Sequence, residues 1–129
     1  MKKMRALSAF IPALLLVALA VPKEAAAENE VFTVKSMAEN NVQIAFFSQD
    51  RRVRWPASGR AWGLNDYGDH KFNLSCVDGE KICYGAWLTG NARTYWGVGA
   101  DGKERCDNCC YTCGGSDPRH ITLRDPVRR

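Results

Sequence analysis

Nowhere does this 129-residue chain hold an apolar run long enough to cross a bilayer as a helix. The longest, residues 9–21, is 13 residues, whereas a spanning helix needs roughly 20. Internal repeats, long low-complexity segments and recognisable linkers are also missing, which leaves a single domain. Serine, histidine and aspartate all occur, but no G-x-S-x-G frames a nucleophile. With only two histidines, His70 and His120, the sequence constrains no acid–base pair, so no catalytic residue is assigned. Cysteine is absent from the first 75 residues and then occurs six times, always in the second half.

The short apolar run has a different use. It follows the basic MKKMR and leads to Ala25, Ala26 and Ala27 before the charged ENE, the three-part pattern of a secretory signal peptide. Cleavage is expected after Ala27, giving a signal of 1–27, a mature domain of 28–129 and a secreted or periplasmic destination. No cysteine closely follows the run, so no lipid anchor is indicated, and no Arg-Arg pair precedes it to suggest twin-arginine export.

Removing the signal changes the charge. The full chain carries 18 Lys+Arg against 14 Asp+Glu, and residues 1–27 contribute four of the former and one of the latter. The mature chain is therefore 14 against 13, and a nucleic-acid partner loses its electrostatic basis. A chain of about 100 residues buries only about two-thirds of the surface its unfolded form exposes, so covalent staples help. Disulfides are permitted outside the cytosol.

The mature apolar pattern is mostly period two. In VQIAFFS, Val42, Ile44 and Phe46 share one face, and Gln43, Ala45 and Phe47 the other; the β-branched and aromatic residues favour a strand. VFTVK, VRWP up to Pro56, and Trp62 with Leu64 are shorter candidates. In HKFNLSCV, Phe72, Leu74 and Cys76 form one face. ICYGAWLT places Cys83 and Trp87 opposite Ile82, Tyr84 and Leu88, and RTYWGVG and ITL complete the set. Seven or eight short strands in about 100 residues predict an all-β fold: a small disulfide-stapled antiparallel β-sandwich or barrel-like domain, with little helix outside the signal. The ends, ENEVFTVKSMAENN apart from VFTVK and the tail RDPVRR, are expected to fray. In CVDGEKIC, a hairpin turning at Gly79 and Glu80 would align Asp78 with Lys81, Val77 with Ile82 and Cys76 with Cys83. That register, or a four-residue loop sharing its centre, is preferred over a turn centred on Asp78 and Gly79.

Several motifs have ordinary readings. GVGADG, residues 97–102, spells G-x-G-x-x-G, but no following helix or βαβ unit provides the context of a dinucleotide site, so its glycines are read as turn residues and no cofactor is assigned. NDYGDH offers Asn65, Asp66, Asp69 and His70 but lacks the length and ligand order of a calcium loop; a turn is expected. Asn73-Leu74-Ser75 is a sequon, read as chance in a chain with a bacterial-looking leader.

QDRRVRWP sets Arg51, Arg52 and Arg54 beside Trp55. Guanidinium groups beside an indole can hold carboxylates, phosphates or sulfates while the ring stacks on a sugar, so these four are the candidate ligand-binding residues. The partners they suit are a glycan, an anionic lipid or an acidic protein surface. The plainer reading is a solvated turn whose tryptophan packs into the core.

CDNCCYTC, residues 106–113, holds four of the six cysteines. If all six pair internally, Cys76 and Cys83 can absorb at most two of Cys106, Cys109, Cys110 and Cys113, so at least one bond closes inside the cluster. Structural staples, a redox-active C-x-x-C and a four-thiolate zinc site all fit the spacing. Staples are preferred, because adjacent Cys109 and Cys110 do not easily ligate together and no thioredoxin-like βαβ unit surrounds the motif. No metal is therefore assigned. Positions 106, 109, 110 and 113 also fit one helix face, but poor helix formers fill the segment, and a turn or loop with at most one helical turn is expected. The sequence thus points to an exported, non-enzymatic binding or envelope-associated module. A thiol–disulfide oxidoreductase and a zinc-stabilised structural protein are the alternatives.

Overall fold

The computed structural model describes residues 12–13, 26–115 and 119–126. The expected signal peptide lies almost entirely outside the described residues, as do positions 127–129 of the tail. The described chain is all-β, with nine strands and no helix: β1 (Ala27–Ser36), β2 (Val42–Ser48), β3 (Arg54–Trp55), β4 (Trp62–Leu64), β5 (Asp69–Val77), β6 (Lys81–Leu88), β7 (Asn91–Gly97), β8 (Cys110–Thr112) and β9 (His120–Leu123). No helix long and apolar enough to cross a membrane occurs among the described residues.

These strands form two sheets. The smaller has the order β5-β1-β9, and the larger β3-β2-β6-β7, with β4 also on β2 and β8 also on β6. β2 and β6 pair antiparallel from Val42↔Leu88 to Ser48↔Ile82. Each needs a partner along its other edge, and each finds two short ones laid end to end. β3 and β4 share the free edge of β2, while β7 and β8 share that of β6. One pairing departs from the antiparallel expectation: β9 runs parallel to β1, from Thr33↔His120 to Ser36↔Leu123.

The period-two reading explains why the sheets stack. Phe32 and Val34 of β1, Phe72 and Leu74 of β5, and Ile121 and Leu123 of β9 meet Ile44 and Phe46 of β2 and Ile82 and Ala86 of β6 in one buried cluster. Alternate side chains on one face of each strand supply it. Aromatic rings cross this core: Trp62 to Phe72 at 4.6 Å between centroids, Phe46 to both at 6.0 Å, Phe32 to Phe46 at 4.6 Å, and Phe32 to Tyr111 at 5.4 Å. The opposite faces of β2 and β6 are buried too. Ala45, Phe47, Cys83 and Trp87 lie under Val98 and Cys109 in a second cluster, so the segment after β7 forms a third layer over the large sheet.

The hairpin register expected at residues 76–83 does not form. Glu80 N donates to Val77 O at 2.9 Å, closing a turn centred on Asp78 and Gly79, and the chain then passes from one sheet to the other. β5 pairs with β1, and β6 pairs with β2. The physical reason is the number of faces each strand must bury: β6 is buried on both and belongs in the large sheet, which is covered on both sides, whereas β5, alternately buried and exposed, suits the small sheet, which packs on one. Cys76 consequently bonds Cys113, and Cys83 bonds Cys110.

Two further expectations are corrected. Residues 110–112, read as turn or loop, form β8 against Lys81, Ile82 and Cys83. The N-terminal stretch does not fray once described, because ten-residue β1 is the central strand of its sheet. At the other end, Arg124 O accepts from Trp96 Nε1 at 2.6 Å and Asp125 Oδ2 from Glu39 N at 3.0 Å, so the first part of the tail is tied down.

Candidate functional site

The segment joining β2 to β3 carries the arginines. Ser48 organises it: Ser48 N donates to Val53 O at 3.0 Å, and Ser48 Oγ accepts from Arg51 N at 3.0 Å. The same hydroxyl donates to Glu80 Oε2 at 2.5 Å. Arg51 clamps Glu80 through two bonds, Nε to Oε2 at 2.6 Å and Nη2 to Oε1 at 2.7 Å, a fork-to-carboxylate arrangement. Val77 N adds a third donor to the carboxylate at 3.0 Å. The Arg51 guanidinium, opposed by burial and helped by Ser48 and the Val77 amide, holds the Glu80 pKa down from its ordinary 4.5 to about 2. Arg51 is thus committed to the fold.

Trp55 is committed as well. It is 9 % exposed, and its Nε1 donates to Ser75 O at 3.1 Å on the facing sheet. The ring belongs to the core and offers no stacking face. Arg54 lies with Cζ 5.0 Å from the Phe47 ring centroid and 5.7 Å from that of Trp87, a position in which a cation is held by ring quadrupoles. Its Nε donates to Arg60 O at 3.0 Å, and burial lowers its pKa. Arg52 is exposed and has no side-chain partner among the described residues. Arg51, Arg52 and Arg54 line one cleft of about 420 Å³, together with Ser58, Asp101 and Lys103. The structure therefore gathers the three arginines and sends the tryptophan elsewhere.

Sequence reasoning missed a larger cleft, which shares Asp101 with this one. About 650 Å³ is enclosed by Asn91, Arg93 and Tyr95 of β7 and by Ala100, Asp101 and Glu104. Tyr95 is 41 % exposed, and its hydroxyl lies 3.5 Å from Glu104 Oε2. Asn91, Arg93 and Tyr95 are all exposed on β7, whose register against β6 breaks between Trp87↔Tyr95 and Leu88↔Asn91, so simple strand alternation in the sequence does not report that they line one cleft. Asp101 lines both clefts, so the 99–104 turn is a ridge between them. Glu104 N bonds Val98 O at 3.0 Å and Gly102 N bonds Gly99 O at 3.4 Å, closing the ridge on itself. Gly102 has φ of +72°, and a Cβ there would fall 2.4 Å from Phe47 Cδ1, so both backbone conformation and space require glycine.

Comparison with known families, curated proteins and solved structures finds no match. What the site can do rests on its own geometry.

All six cysteines are paired, as Cys76–Cys113, Cys83–Cys110 and Cys106–Cys109. The last lies inside CDNCCYTC, meeting the partner-counting requirement. The sulfurs of Cys83, Cys109 and Cys110 all lie within 4.8 Å of one another, but each is already bonded to sulfur. In this oxidation state they present no thiolate, the form that binds metal. Three disulfides belong to an oxidising environment. NDYGDH makes the expected turn, with Asp66 Oδ1 accepting from Gly68 N at 2.8 Å and lying 2.8 Å from His70 Nε2. The bond to His70, and after it that from Gly68, lowers the Asp66 pKa. The two partners lie one turn of chain apart on an exposed surface, away from both clefts.

Proposed function

We propose that this chain is an exported, non-enzymatic binding module that takes an anionic saccharide across the 99–104 ridge. The observation that carries the reading is the shared wall. One cleft offers an exposed tyrosine ring with side-chain acceptors at Asn91, Asp101 and Glu104, and the other offers Arg52 and Lys103 beside the half-buried Arg54. A pyranose stacks on an aromatic face while its hydroxyls donate to carboxylate and amide oxygens. A neighbouring uronate, sulfate or phosphate group then meets the basic flank. Arg52 lies free for that role, whereas Arg51 and Trp55 are held in the fold.

Calorimetric titration with a uronic-acid oligosaccharide, a neutral oligosaccharide of equal length and vesicles containing anionic lipid tests the reading. Tyr95→Ala is expected to weaken saccharide binding about tenfold, and Arg52→Ala or Lys103→Ala to weaken only the charged oligosaccharide by about three- to tenfold. The charged component should decline with added salt. Binding to vesicles without binding to either oligosaccharide would overturn it.

A further inference from the structure

No cysteine lines either cleft, so the disulfides stand apart from the binding surface. Cys106 is half-buried in the loop before β8, while its partner Cys109 is 1 % exposed. Cys109 Sγ lies 3.8 Å from Cys110 Sγ, which is itself bonded to Cys83. Two disulfides therefore abut through the adjacent pair Cys109 and Cys110. Cys110 is also half-buried, but it faces Cys83 directly in the β6–β8 register. Cleavage by an outside thiol at Cys110 would leave both sulfurs held together by strand pairing, poised to re-form their bond. Cys106 has no strand partner, and once it is released nothing comparable holds it to Cys109.

We propose that Cys106–Cys109 is a thiol–disulfide exchange site, and that Cys83–Cys110 is the internal acceptor behind it. An incoming thiolate attacks Cys106 Sγ, forming a mixed disulfide there, and the Cys106–Cys109 bond breaks with its electron pair leaving on Cys109 as thiolate. Cys109 attacks Cys110 Sγ, forming a Cys109–Cys110 bond and expelling Cys83 as thiolate. A second thiolate attacks the outer sulfur of the mixed disulfide at Cys106 and releases Cys106 as thiolate. Two substrate thiols are thereby oxidised to one disulfide. The chain gains the two electrons as thiols on Cys106 and Cys83 after protonation. The substrate class is an accessible thiol, either a small molecule or a cysteine pair in another protein.

The test incubates the folded, fully oxidised protein with reduced glutathione in one arm and with a reduced peptide containing C-x-x-C in the other. Each is acid-quenched, alkylated after unfolding and mapped by mass spectrometry, with near-ultraviolet circular dichroism followed throughout. The expected result is a first mixed disulfide on Cys106, then a Cys109–Cys110 link with alkylated Cys83, before native dichroism is lost. Reaction in only one arm identifies the source of the thiol and supports the site. Cys106→Ala leaves Cys109 as a free thiol and should yield alkylated Cys83 without added thiol, whereas Cys109→Ala should not. A first adduct at any other cysteine, or reaction only after dichroism is lost, overturns the proposal. The wild-type mapping decides even where a variant does not fold.

Discussion

Glu80 sits where the chain leaves one sheet for the other, and it is 3 % exposed. A buried carboxylate is tolerable only if its oxygens are paired, and three donors on Arg51, Ser48 and Val77 meet that demand. The folded chain keeps Glu80 ionised down to about pH 2, whereas its ordinary pKa is 4.5. A folded-state pKa below the unfolded one gives stability that is full above the unfolded value and is lost as pH falls toward the folded one. Urea unfolding followed from pH 6 to pH 2 should therefore lose a contribution on the order of 2 kcal/mol through this window, discounted for the solvent around Arg51. Glu80→Gln should flatten that part of the profile. Arg51 and Trp55 show that residue type alone does not report which partners a side chain takes in the fold. Both look like binding residues in QDRRVRWP, and each is claimed by a partner far along the chain, Glu80 and Ser75 respectively. Nothing local in the octapeptide specifies those partners.

At the scale of the element, strands were legible and their neighbours were not. Alternation in VQIAFFS and HKFNLSCV places the correct side chains inward, because the pleat imposes period two whatever the sheet. Which strand pairs with which depends on how many faces and edges each must bury, and a local turn signature cannot report that. β8 was illegible for a related reason. CYT is too short for a period, the cysteines of the surrounding CDNCCYTC repeat at helical spacing, and only its seat on β6 and the Cys83–Cys110 bond make it a strand. The candidate clefts were half legible: the arginines cluster in sequence, but the ridge beside them exists only because the 97–102 glycines let the chain fold back over β6. That closeness has a test in Gly85. A Cβ there would lie 2.0 Å from Gly99 O and 3.0 Å from Phe47 Cε2, and overpacking of a buried face typically costs about 1–3 kcal/mol. Gly85→Ala should lower Tm, and it should weaken oligosaccharide binding by displacing the ridge although residue 85 lines neither cleft. Unchanged stability and binding would mean that the third layer is looser than the contacts indicate.

For the whole molecule, the three disulfides divide their labour by position. Cys106–Cys109 spans 3 residues and constrains the unfolded chain little, whereas Cys76–Cys113 spans 37 and joins the small sheet to the loop that follows β8. Glu30 and Arg119 reinforce the same seam: Arg119 Nε lies 2.8 Å from Glu30 Oε2, and Gly114 N donates to Glu30. Replacing Cys76 and Cys113 together by alanine should cost about 2–4 kcal/mol, a Tm fall of roughly 10–20 °C for a domain of this size, measured by differential scanning calorimetry. The expected all-β, disulfide-stapled architecture follows from composition, spacing and strand pattern. The connectivity does not, since six cysteines allow 15 pairings and the sheet assignment selects one.

The parallel pairing of β1 with β9 has a mechanical consequence. Because the two strands run the same way, tension applied at residue 28 and at residue 126 draws them past each other along their length. The hydrogen bonds between Thr33↔His120 and Ser36↔Leu123 then bear the load together rather than parting one at a time as in a peeled hairpin. Beyond that clamp, the Cys76–Cys113 bond makes the chain between those two cysteines inextensible to the pulling force. A domain tethered by its two ends would therefore resist as a bolted lap joint does, yielding abruptly and lengthening by only part of its contour.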